Sequence, residues 1–113
     1  AGGAQRWRAE AERRAGRIRE LCWDDAAGFF LEYNHVSRQR LPYLSACAYW
    51  TLWAGVATPE QAAALVAQLG RFEQPHGLSV TDKAYRSPHP EFKNLQWASP
   101  LRWPPLQMVA VEG

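Results

Sequence analysis

Cysteine is scarce: Cys22 and Cys47 are the only two in 113 residues, and no C-x-x-C pair occurs. That count excludes a disulfide framework and a structural zinc site, and two thiols set in apolar stretches are expected to be buried and unpaired. Histidine is equally thin. His35, His76 and His89 lack the i, i+4 spacing of a helical metal site, so no metal is expected. No apolar run reaches the roughly 18 residues that a membrane-spanning helix needs, and no cationic amphipathic helix of membrane type is present. The charge excess is small. Thirteen basic residues against eleven acidic leave +2, too little for a chain built around phosphate contacts, so nucleic acid is not an expected partner. A glycine-rich phosphate loop, a Ser-His-Asp arrangement and a Cys-His arrangement are also missing. What remains is 47% apolar and 21% charged, a globular composition sufficient for one modest core. The chain starts at Ala1 with no secretory signal and stops at Gly113 inside a helical pattern, and it reads as an internal piece of a longer protein.

Between residues 4 and 22, Trp7, Ala11, Ala15, Ile18 and Cys22 recur at intervals of three and four, with arginine and glutamate filling the rest. This spacing predicts a surface helix with one buried stripe. Glu10 four residues before Arg14 supports it, and the interleaved glutamates make its arginines a solvated face. Asp24, Asp25 and Gly28 end it in a turn, their carboxylates serving termination and solvation. An aromatic stretch at 29–34 is expected to be briefly extended, and 35–40 to form a polar loop. Residues 41–56 are apolar almost all the way round, which predicts a helix enclosed by others, with Pro42 in its first turn. Thr58, Pro59 and Gln61 form a start signal with a capping box, and Gly70 is the expected terminator of a helix over 59–69. Residues 71–102 hold five prolines or glycines and no sustained period. A connection that long is functional when it also carries aromatics. After Pro104 and Pro105, a second enclosed helix begins.

Polar-faced and enclosed helices therefore alternate. That order is the pattern of an all-α toroid in which outer helices show one face to water and inner helices line a central space. A plain four-helix bundle would instead give four similar stripes. Both long loops, 34–41 and 71–103, precede the inner helices and are expected to gather at one mouth, where a ligand would sit.

The segment 94–107 concentrates chemistry. Gln96, Trp97, Arg102, Trp103 and Gln107 set two indoles, two carboxamides and a guanidinium on a proline-stiffened loop and the first turn of an inner helix. Small carbohydrates are bound by such sets, since an aromatic face covers the C–H side of a sugar ring and planar amide or guanidinium groups pair with its hydroxyls. The structural alternative is that Trp103 and Leu106 are core and Trp97 wedges the loop.

This segment resembles the second signature of the trehalase family of glycoside hydrolases (family 37, the six-hairpin glycosidases), whose usual form is Gln-Gln-Trp-Asp, any residue, Pro-Asn-Gly-Trp-Ala-Pro-Leu-Gln. Gln96, Trp97, Pro100, Trp103, Pro105, Leu106 and Gln107 match in register. Upstream, Leu21-Cys22-Trp23-Asp24 with Gly28 and Glu32-Tyr33-Asn34 is similar to the family's Leu-Trp-Asp, Gly and Asp-Tyr-Asp stretch. Leu52-Trp53-Ala54-Gly55 and Gly77-Leu78-Ser79-Val80 have counterparts as well.

The resemblance implies a fragment of about four helices of an (α/α)6 toroid, with residues 1–113 a partial catalytic domain lacking upstream and downstream parts. It implies inverting hydrolysis of α,α-trehalose by one carboxylic acid and one carboxylate, with no cofactor. In the family both catalytic groups lie outside the matched region, so no catalytic residue is expected here. Carried over by position, Gln96 and Trp97 would contact sugar, while Trp103 and Gln107 would support the site, with Arg102 beside them. Ala98 stands where the family has aspartate, and Leu101-Arg102 where it has Asn-Gly. Loss of a two-acceptor partner for sugar hydroxyls makes a related toroid α-glycosidase for another glucoside the first alternative. A helical binding module without catalysis is the second.

Overall fold

Helix α1 covers Gly2–Cys22, and the chain leaves it through a hairpin of β1 (Trp23–Asp24) and β2 (Phe29–Phe30). The computed structural model describes residues 2–86, 97 and 99–113. Asp24 Oδ1 accepts the amide of Ala27 at 2.9 Å, and Gly28 takes φ +58°, so the turn after α1 forms where the aspartates and glycine place it. A second hairpin follows, β3 (Tyr33–Asn34) with β4 (Gln39–Arg40). Asn34 Oδ1 holds its turn by accepting the amides of Val36 and Ser37. Arg40 reaches back to the carbonyls of Leu21 and Glu20, placing a cation at the C-terminal end of α1.

The predicted stripe on α1 is only half used. Ala15, Ile18 and Cys22 are half-buried, but Trp7 is 68% exposed, because the described elements pack against the C-terminal half of α1 and leave the rest projecting.

The expected helix over 41–56 is replaced by something shorter. Ala46–Tyr49 forms a 3-10 turn that runs into α2, Trp50–Trp53. Residues 44–46 spend their backbone groups elsewhere. The amide of Ala46 donates to the Val80 carbonyl at 2.8 Å, Asp82 donates to Leu44, and Ser45 bridges Thr81. Ser45 is therefore extended and acts as N-cap, accepting the amide of Cys47. Enclosure is also one-sided: Ala46, Ala48 and Tyr49 are buried, whereas Cys47, Trp50 and Trp53 face outward. Cys47 thus departs from the buried thiol expected of it, while Cys22 is half-buried and its thiol is pushed up by that burial. Both line a cleft of about 160 Å³ between α1 and the 43–51 segment.

Helix α3, Pro59–Ala67, starts as the sequence predicts. Thr58 Oγ1 accepts the Gln61 amide at 3.3 Å and Gln61 Oε1 accepts the Thr58 amide at 3.0 Å, a closed capping box with Pro59 in the first turn. Its end differs. Gly70 is not a left-handed terminator; the chain tightens into a 3-10 turn at Leu69–Phe72, which carries Phe72 into the core. Hairpin β5 (Glu73–Gln74) and β6 (Gly77–Leu78) then leads to a buried segment, Ser79–Thr81. Helix α4, Pro104–Glu112, lies against α2 and the 3-10 turn before it.

An aromatic triad sits at the centre. The rings of Phe29, Tyr49 and Phe72 lie 5.8 to 6.1 Å apart, two contacts edge-on and one stacked, with Leu65, Leu106 and Val109 closing round them. Each of the six is essentially inaccessible to water. Elements from both halves of the chain therefore share one core.

Candidate functional site

The site is built on Ser79–Asp82, a segment that draws in its surroundings. On one side, Ser79 donates its amide to the Phe72 carbonyl at 2.8 Å, and Val80 accepts from Ala46. On the other, the Val80 amide donates to the Leu101 carbonyl at 2.9 Å, and the Ser99 amide donates to Thr81 Oγ1 at 2.7 Å. Those bonds fasten the stretch carrying Trp97 and Trp103 to the core. The Ser79 hydroxyl lies within hydrogen-bonding distance of the Phe72 and Thr81 carbonyls, so burying it leaves nothing unsatisfied.

Asp82 follows directly, and its side chain is only 7% exposed. Its carboxylate accepts the Tyr85 hydroxyl at 2.6 Å and faces Arg71 at 3.5 Å. A buried carboxylate requires such partners. Tyr85 in turn accepts the Leu44 amide and sets its ring edge-on to Tyr43, so the 43–46 and 80–85 segments meet, whereas the loop at 34–41 does not join them as expected. The hairpin of 33–40 goes elsewhere, lying along the end of α1. Sequence reasoning missed Asp82 and Tyr85; their spacing of three across a non-periodic stretch was the available signal.

Trp97 and Trp103 come together as the sequence suggests. Their ring centroids are 4.7 Å apart at 81°, edge to face, and both indoles remain open to solvent at 48% and 37%. Among the described residues Trp103 is thus not part of the core, whereas Leu106 is buried as the structural alternative expects. Trp103 caps α4 through its backbone, its carbonyl accepting the amides of Leu106 and Gln107. Arg102 is exposed beside Gly77. Gln96 and Ala98 lie outside the described residues.

Gln107 is already engaged. Its Oε1 accepts the Leu78 amide and its Nε2 donates to the Leu78 carbonyl, both at 2.6 Å. One N–H and one lone pair of the carboxamide are left over. Among the described residues, no three His, Cys, Asp or Glu groups gather as metal ligands, and no helix is long and apolar enough to cross a membrane.

The sequence matches the family described as Trehalase over residues 2–113. It is 38% identical over 109 residues to the cytosolic neutral trehalase of Saccharomyces cerevisiae, covering 95% of this chain and 14% of that protein. The cytosolic neutral trehalase of Beauveria bassiana gives the same identity and covers 15% of its own length. Among solved structures, neutral trehalase Nth1 from Saccharomyces cerevisiae superposes with a TM-score of 0.83 at 37% identity, over 96% of this chain and 20% of the other. The chain therefore spans about one-seventh of the length of the curated relatives it matches, and its four helices form part of the same (α/α)6 toroid fold.

Proposed function

The chain belongs to the trehalase family, and from that premise we propose that residues 1–113 are part of the catalytic domain of an inverting α-glucoside hydrolase that cleaves α,α-trehalose. Its contribution is a substrate-binding loop. Trp97 and Trp103 offer the apolar surface for a sugar ring, and Gln96 and Arg102 offer planar groups for its hydroxyls, with Gln107 supporting the site. The observation that carries this reading is the edge-to-face indole pair, held at 4.7 Å yet left open to solvent.

Neither catalytic carboxyl group is assigned within the chain. Support comes from the aspartates, each of which has a local partner. Asp24 holds the Ala27 amide, Asp25 accepts the Trp23 indole N–H at 2.7 Å, and Asp82 is bound by Tyr85. An inverting hydrolase needs an acid and a base about 6.5–9.5 Å apart across the scissile bond, with room for water between. By this reading the 113 residues alone hydrolyse nothing.

The test is hydrolysis by the intact protein, followed by NMR before the products mutarotate. Water attacks one anomeric carbon from the face opposite the departing oxygen, so each trehalose should yield one β-glucose and one α-glucose. Trehalose left untouched while another α-glucoside is cleaved favours a related toroid glycosidase, the reading to which the exposed Arg102 guanidinium at the mouth lends support. No turnover of any glucoside contradicts both.

A further inference from the structure

Leu78 sits on β6 with its N–H and C=O turned away from β5, since both groups of one residue in a two-stranded antiparallel pair face the same side. Exposed edge groups of this kind normally go to water or to another strand. Here they go to a side chain. Oε1 and Nε2 of Gln107 meet the Leu78 amide and carbonyl at 2.6 Å each, reproducing with one carboxamide the paired bonds that a neighbouring strand would make. Gly77 makes the approach possible: its φ is +124°, and a Cβ there would lie 2.7 Å from Gln107 Oε1. The Gln107 backbone amide also donates to the Trp103 carbonyl at 3.4 Å. One residue thus links the β5–β6 hairpin to the turn that carries Trp103, and through it to Trp97.

We propose that Gln107 is a positioning residue, whose carboxamide fixes the register of the first turn of α4 against Leu78 and so sets the angle of the Trp97–Trp103 surface for sugar. This deepens the trehalase reading and rests on it. The role asks for one donor and one acceptor, side by side, on a side chain of this length. Methionine fills the same space and supplies neither. Glutamate supplies two acceptors as a carboxylate, but one donor and one acceptor once protonated.

Two readouts in the intact protein test it: hydrogen exchange of the Leu78 amide relative to that of Val80, which Leu101 holds independently, and trehalose kinetics. In Gln107→Met, Leu78 should exchange roughly tenfold faster relative to Val80, and KM should rise about tenfold with little change in kcat. In Gln107→Glu the carboxylate can still accept the Leu78 amide but repels the Leu78 carbonyl, so the loss should be partial at pH 7, with full Leu78 protection recovered near pH 4, around the ordinary glutamate pKa of about 4.3. That acid rescue is a signature that a space-filling role does not produce. A folded Gln107→Met with Leu78 still protected, or with Leu78 released and KM unchanged, overturns the proposal. Wild-type protein that protects Leu78 but leaves trehalose intact overturns the trehalase reading and with it the sugar-positioning role, while the clamp itself stands; an unprotected Leu78 in a trehalose-cleaving wild type overturns the clamp alone.

Discussion

Tyr85 donates its hydroxyl to Asp82 Oδ1 at 2.6 Å while accepting the Leu44 amide at 3.3 Å, so one phenol joins the buried carboxylate to the segment that leads into α2. Tyr85→Phe removes the carboxylate's short hydrogen bond and leaves two polar groups short of a partner. A loss of about 1–3 kcal/mol is expected, measurable by urea unfolding. Arg71→Ala should cost under about 1 kcal/mol, because that pair is 3.5 Å apart and the arginine is exposed. Equal losses for the two variants would contradict this ranking.

Alkaline pH should expose the core tyrosine. Burial holds the Tyr49 hydroxyl well above the usual tyrosine range, and its proton is donated to the Leu65 carbonyl at 3.1 Å. Because the folded pKa is raised, the associated stability is fully present below about pH 10 and is lost as pH rises through the folded value. Tyr43, raised first by burial and then by the neighbouring Glu32 carboxylate, acts in the same direction. Chemical unfolding above pH 10 should therefore show stability falling with pH, and Tyr49→Phe should flatten that slope by about 1.4 kcal/mol per pH unit. An unchanged slope in the variant would contradict a buried, protonated Tyr49.

The capping box makes a prediction remote from the sugar loop. Thr58→Ala should cost about 1 kcal/mol in unfolding free energy, since α3 loses a side-chain acceptor at its first turn. Trehalose KM should not move. A changed KM would mean that α3 communicates with the loop by a route absent from the packing described above.

What the sequence disclosed follows from how local each signal is. The Thr58, Pro59 and Gln61 box lies within four residues and stands as read. The Asp24 to Gly28 turn is equally local and equally legible. The helix expected over 41–56 was not, because the backbone of residues 44–46 is claimed by partners at 80–82, some 35 positions away, which no periodicity records. Gly70 misled for a similar reason: the demand of the core for Phe72 tightens the chain where glycine alone suggests a stop. At the candidate site, composition pointed to Trp97, Trp103 and Gln107 together. Composition does not say which polar atoms are already spent, and only the geometry shows the Gln107 carboxamide paired with Leu78.

The role of the indole pair is most directly measured with Trp97→Ala in the intact protein, as the trehalose KM of a variant whose circular dichroism matches wild type. Loss of an aromatic face against sugar should raise KM at least about tenfold. A folded variant that hydrolyses trehalose with unaltered KM and kcat would show that the loop bearing Trp97 does not meet the substrate.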